Sequence, residues 1–184
     1  AESIDAVPLF NRRECFGKEL PEKVCFLTAG ADVHPDRIEV QTVGWGEGEE
    51  CWPLAYDIIV GDTSRDETWK QVNPILLRPF RHPLGVELQI IRAAFDTGNA
   101  TDEVYDFCGG ASPKTAVRRS LMIGTMAVKG VGGKRMIGAP ILTRPRKTGV
   151  KRIMLYLVSK NSALKTISAW LKNIEPGPGY VHFR

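Results

Sequence analysis

Two aspartates in this chain each close a short apolar run. Residues 24–32 read Val-Cys-Phe-Leu-Thr-Ala-Gly-Ala-Asp, and residues 88–96 read Leu-Gln-Ile-Ile-Arg-Ala-Ala-Phe-Asp, followed by Thr97-Gly98. Runs of this length, rich in β-branched and aromatic residues, predict strands buried on both faces. Gly30 and Ala31 leave little side chain beside Asp32, so a large group can approach it closely. Two such strands lying side by side would converge two carboxylates at one end of a sheet. Oxygen donors of that kind suit hard cations such as Mg²⁺ or Mn²⁺. Either Asp taken alone reads as a turn cap, because its side chain bonds the backbone that follows. The pair, with small residues beside both, favours a metal.

Strands must position these acids, and the rest of the sequence supplies them. After the run ending at Asp32, Pro35-Asp36 predicts a tight turn. Residues 37–45 alternate (Ile38, Val40 and Thr42 against Glu39, Gln41 and Val43) as a strand with one wetter face. Gly46–Glu49 predicts a hairpin loop, and residues 51–60 a third strand, which completes an antiparallel meander. Residues 66–77 place Trp69, Val72 and Leu76 at helical spacing, with Thr63 or Ser64 near the cap. Strand four covers 88–95. A helix starts at Thr101 and ends at Gly109-Gly110, strand five covers 121–128 and strand six 151–158. A last helix covers 161–173, before the turn Pro176-Gly177-Pro178-Gly179 and a short extended piece. Residues 129–149 predict a flexible loop or a hairpin. The order describes an α/β fold with a mixed sheet, whose ligands sit at strand C-terminal ends.

The 184 residues are 43% hydrophobic, enough for one core. The chain begins at Ala1 rather than Met, which reads as a piece of a longer or processed protein. It shows no apolar run long enough to span a bilayer and no signal peptide. Four Cys without close-pair spacing, with Cys25 assigned to a core strand, read as free thiols. Three scattered His argue against zinc. The net charge of +4 conceals a strong asymmetry. Residues 113–184 hold fifteen Lys or Arg against a single acid, Glu175, a surplus of +14; residues 1–112 carry −10. Such a basic segment fits a polyanion.

Several blocks together resemble the nuclease domain of lambda-type phage terminase large subunits. They are Thr28–Asp32, Asp36-Arg37, Gly44-Trp45-Gly46-Glu47-Gly48-Glu49-Glu50, Phe95-Asp96-Thr97-Gly98 with Val104-Tyr105, Lys129-Gly130, and Pro176–Phe183. The resemblance implies an RNase H-like fold in residues 23–184, lacking its C-terminal helix. Residues 1–22 would be an arm from an ATPase domain preceding Ala1; the chain itself has no P-loop. It implies a phage or prophage protein of the host cytoplasm that cuts concatemeric double-stranded DNA. The terminase small subunit and the portal would be its partners in the full-length protein.

The family's nucleases use three carboxylates to hold two metal ions, here Mg²⁺ or Mn²⁺. Asp32 matches the first, in a bridging role, and Asp96 the second, as a terminal ligand. The third lies on a helix beyond the Gly-Pro-Gly-Tyr segment, past Arg184. That leaves one metal position weak and favours Mn²⁺, unless Asp36 or Asp62 serves instead. Asn161 and Leu164 stand where many relatives carry Asp and Lys. Two ions about 3.5–4 Å apart clamp the attacking and leaving oxygens of an in-line displacement. Lys129 would neutralise phosphate charge. With Lys134, Arg135, Arg144, Arg146, Lys147, Lys151 and Arg152 it would hold the DNA backbone without reading sequence. Two alternatives remain: a resolvase- or transposase-type nuclease of the same fold, or a non-catalytic DNA-binding module.

Overall fold

The structure, a computed structural model, describes residues 6–109, 124–133, 138–143, 145–148 and 153–184. Its frame is a seven-stranded mixed sheet. The meander supplies β1 (Phe26–Val33), β2 (Arg37–Trp45) and β3 (Cys51–Val60). The later strands are β6 (Ile90–Asp96), β7 (Gly124–Val131), β8 (Arg146–Lys147) and β9 (Met154–Ser159). Their order is β3-β2-β1-β6-β7-β9-β8. β1, β6, β7 and β9 run parallel, and the meander and β8 are antiparallel to their neighbours. Within residues 129–149 the described residues include the end of β7 and the edge strand β8, which do not pair with each other because β9 lies between them, while 134–137, 144 and 149 lie outside the described residues.

Strand four begins later than the sequence suggests. Glu87–Leu88 (β5) pairs instead with Phe80–Arg81 (β4) in a separate two-stranded ribbon. The helix expected over 66–77 is two helices, α2 (Asp66–Lys70) and α3 (Val72–Leu76). Pro74 is the reason: it has no N–H to offer the Lys70 carbonyl and its ring crowds that position. Thr63 does not cap either helix; its hydroxyl donates to the carbonyls of His34 and Pro35. α4 (Thr101–Gly109) and α5 (Lys160–Lys172) lie within a residue of their expected bounds. α1 (Ala6–Asn11) precedes the sheet.

The sheet has one closed face and one open face, which corrects the expectation of strands buried on both sides. Along β1, Leu27, Ala29, Ala31 and Val33 are buried, whereas Phe26, Gly30 and Asp32 are exposed. On the closed face α2, α3 and α4 contribute Trp69, Val72, Leu76, Val104 and Phe107 to the core. Trp69, Phe95 and Phe107 form its aromatic centre, with ring centroids 5.0–6.2 Å apart. α5 meets the other face through Trp170, set edge-on to Trp45. Trp45 in turn donates to the Thr28 hydroxyl at 2.7 Å.

A buried imidazole ties three distant segments together. His182 Nδ1 lies 2.6 Å from Glu14, and Nε2 lies 2.9 Å from Glu50. The imidazole thus bridges the two carboxyl groups. Trp52 stacks on it at 4.5 Å, and Lys23 stands 3.6 Å from Glu50. Beside it Arg13 bridges Phe183 in parallel, and the Arg12 guanidinium lies over Tyr180 while donating to the Asn173 carbonyl. Residues 12–14 thus form a strap across residues 180–183.

Cys25 is exposed and precedes β1, contrary to its expected core position; Cys15 is exposed too, while Cys51 and Cys108 are buried, and all four are free thiols. Burial, with the nearby Glu50 charge adding to it, pushes the Cys51 thiol up to about 11. The thiolate is the reactive form, so at pH 8 Ellman's reagent should modify Cys15 and Cys25 rapidly. Cys51 should stay unmodified until the protein is unfolded, as peptide mapping after labelling would record.

Candidate strand-end carboxylate site

The site is built by register. β1 and β6 pair in parallel, with Gly30 opposite Ala94 and Ala31 opposite Phe95. One residue further, the same register sets Asp32 level with Asp96, on strands about 4.8 Å apart. A bulge makes this possible. Leu27 pairs with Ile90, but Thr28 pairs with Arg92, so Ile91 is the extra residue. Beyond it the buried Ala93 and Phe95 match the buried Ala29 and Ala31. Asp32 and Asp96 therefore share the open face. A methyl group placed on Gly30 would meet nothing within 4 Å, so the ground before Asp32 is clear.

The two carboxylates are held differently. The Asp32 side chain is 60% exposed, and its Oδ2 lies 3.3 Å from His34 Nε2. Asp96 Oδ2 accepts the Gly98 N–H at 3.1 Å. Asp96 is thus a turn cap as well as a carboxylate on the open face, so its two readings coexist. Below it Thr97 is anchored: its N–H and hydroxyl both donate to the Val128 carbonyl, at 2.9 and 3.0 Å.

A third acid shares the open face, one to which the sequence alone assigned no role. Glu39 on β2 pairs directly with Asp32 across the antiparallel ladder. Arg37 Nε donates to it at 2.6 Å, the Tyr56 hydroxyl donates to its other oxygen, and His34 Nε2 stands 3.8 Å away. The Tyr56 hydrogen bond first, then that of Arg37, holds the Glu39 carboxyl below its ordinary range. Counting back from the Pro35-Asp36 turn pairs Val33 with Ile38 and Asp32 with Glu39, so the turn was the available signal. Asp36 and Asp62 do not join. Asp36 accepts from Arg37 at 3.0 Å, and Asp62 accepts from the Ser64 N–H and hydroxyl at 2.9 and 2.7 Å.

The donor set is all oxygen, which suits Mg²⁺ or Mn²⁺. Among the described residues no three His, Cys, Asp or Glu side chains converge to enclose an ion. Two carboxylates on neighbouring strand ends would suit an ion that keeps much of its water.

The basic residues are spread more widely. Lys129 follows Val128, the β7 partner of Asp96, and alternation puts it on the side of Ala127, away from the acids. Arg146 and Lys147 form the edge strand β8, three strands from β6. Through Leu155 and Ala127, Arg146 lies level with Phe95, one residue short of Asp96. Lys134, Arg135, Arg144, Lys151 and Arg152 fall outside the described residues.

The structure is a mixed α/β sheet with paired carboxylates at the ends of parallel strands. The chain belongs to the family of terminase large subunit gpA endonuclease domains, which matches residues 1–184. It is 30% identical over 186 residues to the terminase large subunit of Escherichia phage lambda, an alignment taking in 99% of this chain and 27% of that protein. The terminase large subunit of Enterobacteria phage P21 is 28% identical over 177 residues, 96% of this chain and 26% of that one. The chain thus spans about a quarter of the length of these curated relatives. No solved structure matches it.

Gly98 tests the geometry. A Cβ there would stand 2.6 Å from Asp96 Oδ2. The obstacle is a side-chain tip, so Gly98→Ala should change stability by no more than about 1 kcal/mol. It should also displace the carboxylate and lower metal-dependent DNA cleavage by about 10- to 100-fold. Thermal unfolding and plasmid nicking on the same protein sample separate the two effects.

Proposed function

We propose that this chain is the RNase H-like nuclease domain of a viral genome-packaging terminase large subunit. It would cut concatemeric double-stranded DNA by metal-dependent phosphodiester hydrolysis. The observation that carries the reading is the parallel register that sets Asp32 and Asp96 level on the open face of the sheet. Family membership supports the nuclease class. Asp32 would be shared between two ions and Asp96 would bind one of them, with Mg²⁺ or Mn²⁺ supplying an activated water and a stabilised leaving oxygen. The chain's own residues do the rest. Asp32 and Asp96 fix the ions to rigid strand ends, and the clear ground at Gly30 admits the DNA backbone.

In the full-length protein an ATPase domain would drive translocation, and the small subunit and portal would be partners in the host cytoplasm. Among the described residues no helix is long and apolar enough to cross a membrane.

Plasmid nicking with Mn²⁺, Mg²⁺ or chelator tests the site. Loss of the outer partners of metal ligands already costs about 10- to 100-fold. Asp32→Asn and Asp96→Asn should each therefore lower nicking by more than about 100-fold, with unchanged circular dichroism and unchanged DNA binding. Full activity in either variant would remove that residue from the site. A wild-type protein that binds DNA and never cuts it would favour the binding-module reading.

The basic segment generates a second expectation. Affinity for duplex DNA should fall steeply with salt, as phosphate contacts release counterions. Reversing Arg146 and Lys147 to Glu should flatten the slope of log K against log salt by about 0.9 for each phosphate no longer neutralised. A fluorescence anisotropy titration at several salt concentrations measures it; an unchanged slope would mean that β8 does not touch DNA.

A further inference from the structure

We infer that Arg92 is a phosphate anchor for the DNA strand being cut, a positioning residue on the same open face as Asp32 and Asp96. The inference rests on the nuclease reading of that site and adds to it the place where the flanking backbone is held.

Arg92 is exposed on β6, and its partner across the parallel ladder is Thr28. Ile90 and Ala93, on either side of the exposed Ile91 and Arg92, are buried and hold this stretch of β6 to the core. The bulge at Ile91 decides its orientation. Past it, Arg92, Ala94 and Asp96 fall on the open face, while Ala93 and Phe95 fill the core. The guanidinium lies across Gly124 of β7, where any Cβ would collide with its Nη1. Its only hydrogen bond among the described residues is from Nη1 to the Ile91 carbonyl, at 3.3 Å.

Arg37, Arg65, Arg78 and Arg81 each meet a carboxylate, on Glu39, Asp62, Asp57 and Glu19. Arg92 meets none among the described residues, although the same face carries three acids near the sheet's C-terminal edge. Arg12, Arg13, Arg146 and Arg184 also meet no carboxylate among the described residues, but Arg92 stands on the strand that carries Asp96. A planar, permanently charged fork that spends one donor on the Ile91 carbonyl keeps others for a phosphate oxygen pair. Four residues of strand separate it from Asp96, about 13 Å. At an axial rise of about 3.4 Å per nucleotide of one strand, that is at most about four nucleotides. A strand laid along β6, with its scissile phosphate at the acids, would bring a flanking phosphate to Arg92.

The test uses this chain and a short duplex, with binding measured in chelator and cleavage in Mn²⁺. Arg92→Ala should weaken binding about 10-fold, lower the salt slope by about 1, raise KM and leave kcat close to wild type. Arg92→Lys should restore most of the binding. Gly124→Ala, which pushes the guanidinium aside, should weaken binding in the same direction. A walk of single neutral methylphosphonates over the four phosphates on each side of the cut should find one position that penalises wild type and not Arg92→Ala. Wild-type binding and salt slope in Arg92→Ala would overturn the inference, as would a methylphosphonate penalty unchanged by the variant at every position. Because binding is read without metal, a wild-type protein that binds but never cuts refutes the nuclease reading and leaves the binding arm to decide Arg92.

Discussion

The parallel pairing of β1 with β6 is the constraint on which the rest depends. It is enforced from the closed face, where Leu27, Ala29, Ala31, Ile90, Ala93 and Phe95 are all buried. A slip of one residue would turn every one of these side chains outward. The core therefore fixes the register, and the register fixes the acids. Ile91 is the adjustment within this scheme. It takes up one residue without a partner, so that the buried sets match on both sides of it. The open face inherits its geometry from packing it takes no part in.

The acids on that face show how a concentration of negative charge is kept tolerable. Glu39 is neutralised locally by Arg37 and accepts a hydrogen bond from Tyr56. Asp96 commits one oxygen to the Gly98 N–H. Among the described residues Asp32 has His34 as its one ion-pair partner, and its side chain is more exposed than those of His34 and Glu39. A cation arriving from solution meets in Asp32 a charge equal to the others but with fewer commitments. The difference in partners, more than the difference in position, separates the roles these three groups can take.

Much of this was legible in the sequence. β2, β3 and α4 fall where alternation, helical spacing and the closing glycine place them, and both aspartates sit at strand ends as their apolar runs suggest. The open face was not legible, because Ala, Gly and Thr fit a buried or a bare surface equally well. The break at Pro74 was visible in composition, but Trp69, Val72 and Leu76 keep one helical stripe across it and hide the interruption. Glu39 was overlooked because its importance is a matter of cross-strand pairing, not of neighbours in sequence. The ribbon made by Phe80–Arg81 and Glu87–Leu88 is too short to have any period.

The strap over residues 180–183 has a mechanical meaning. Residues 13 and 183 run in the same direction where they pair, so a pull along the arm loads that contact in shear rather than peeling it open. The load passes to the head of the β2–β3 hairpin both through the imidazole to Glu50 and through the backbone bonds of Cys51 with Tyr180 and His182, and so into the meander that carries Asp32. The joint thus ties the arm to the meander, so that force along the arm is shared between the tail and the sheet.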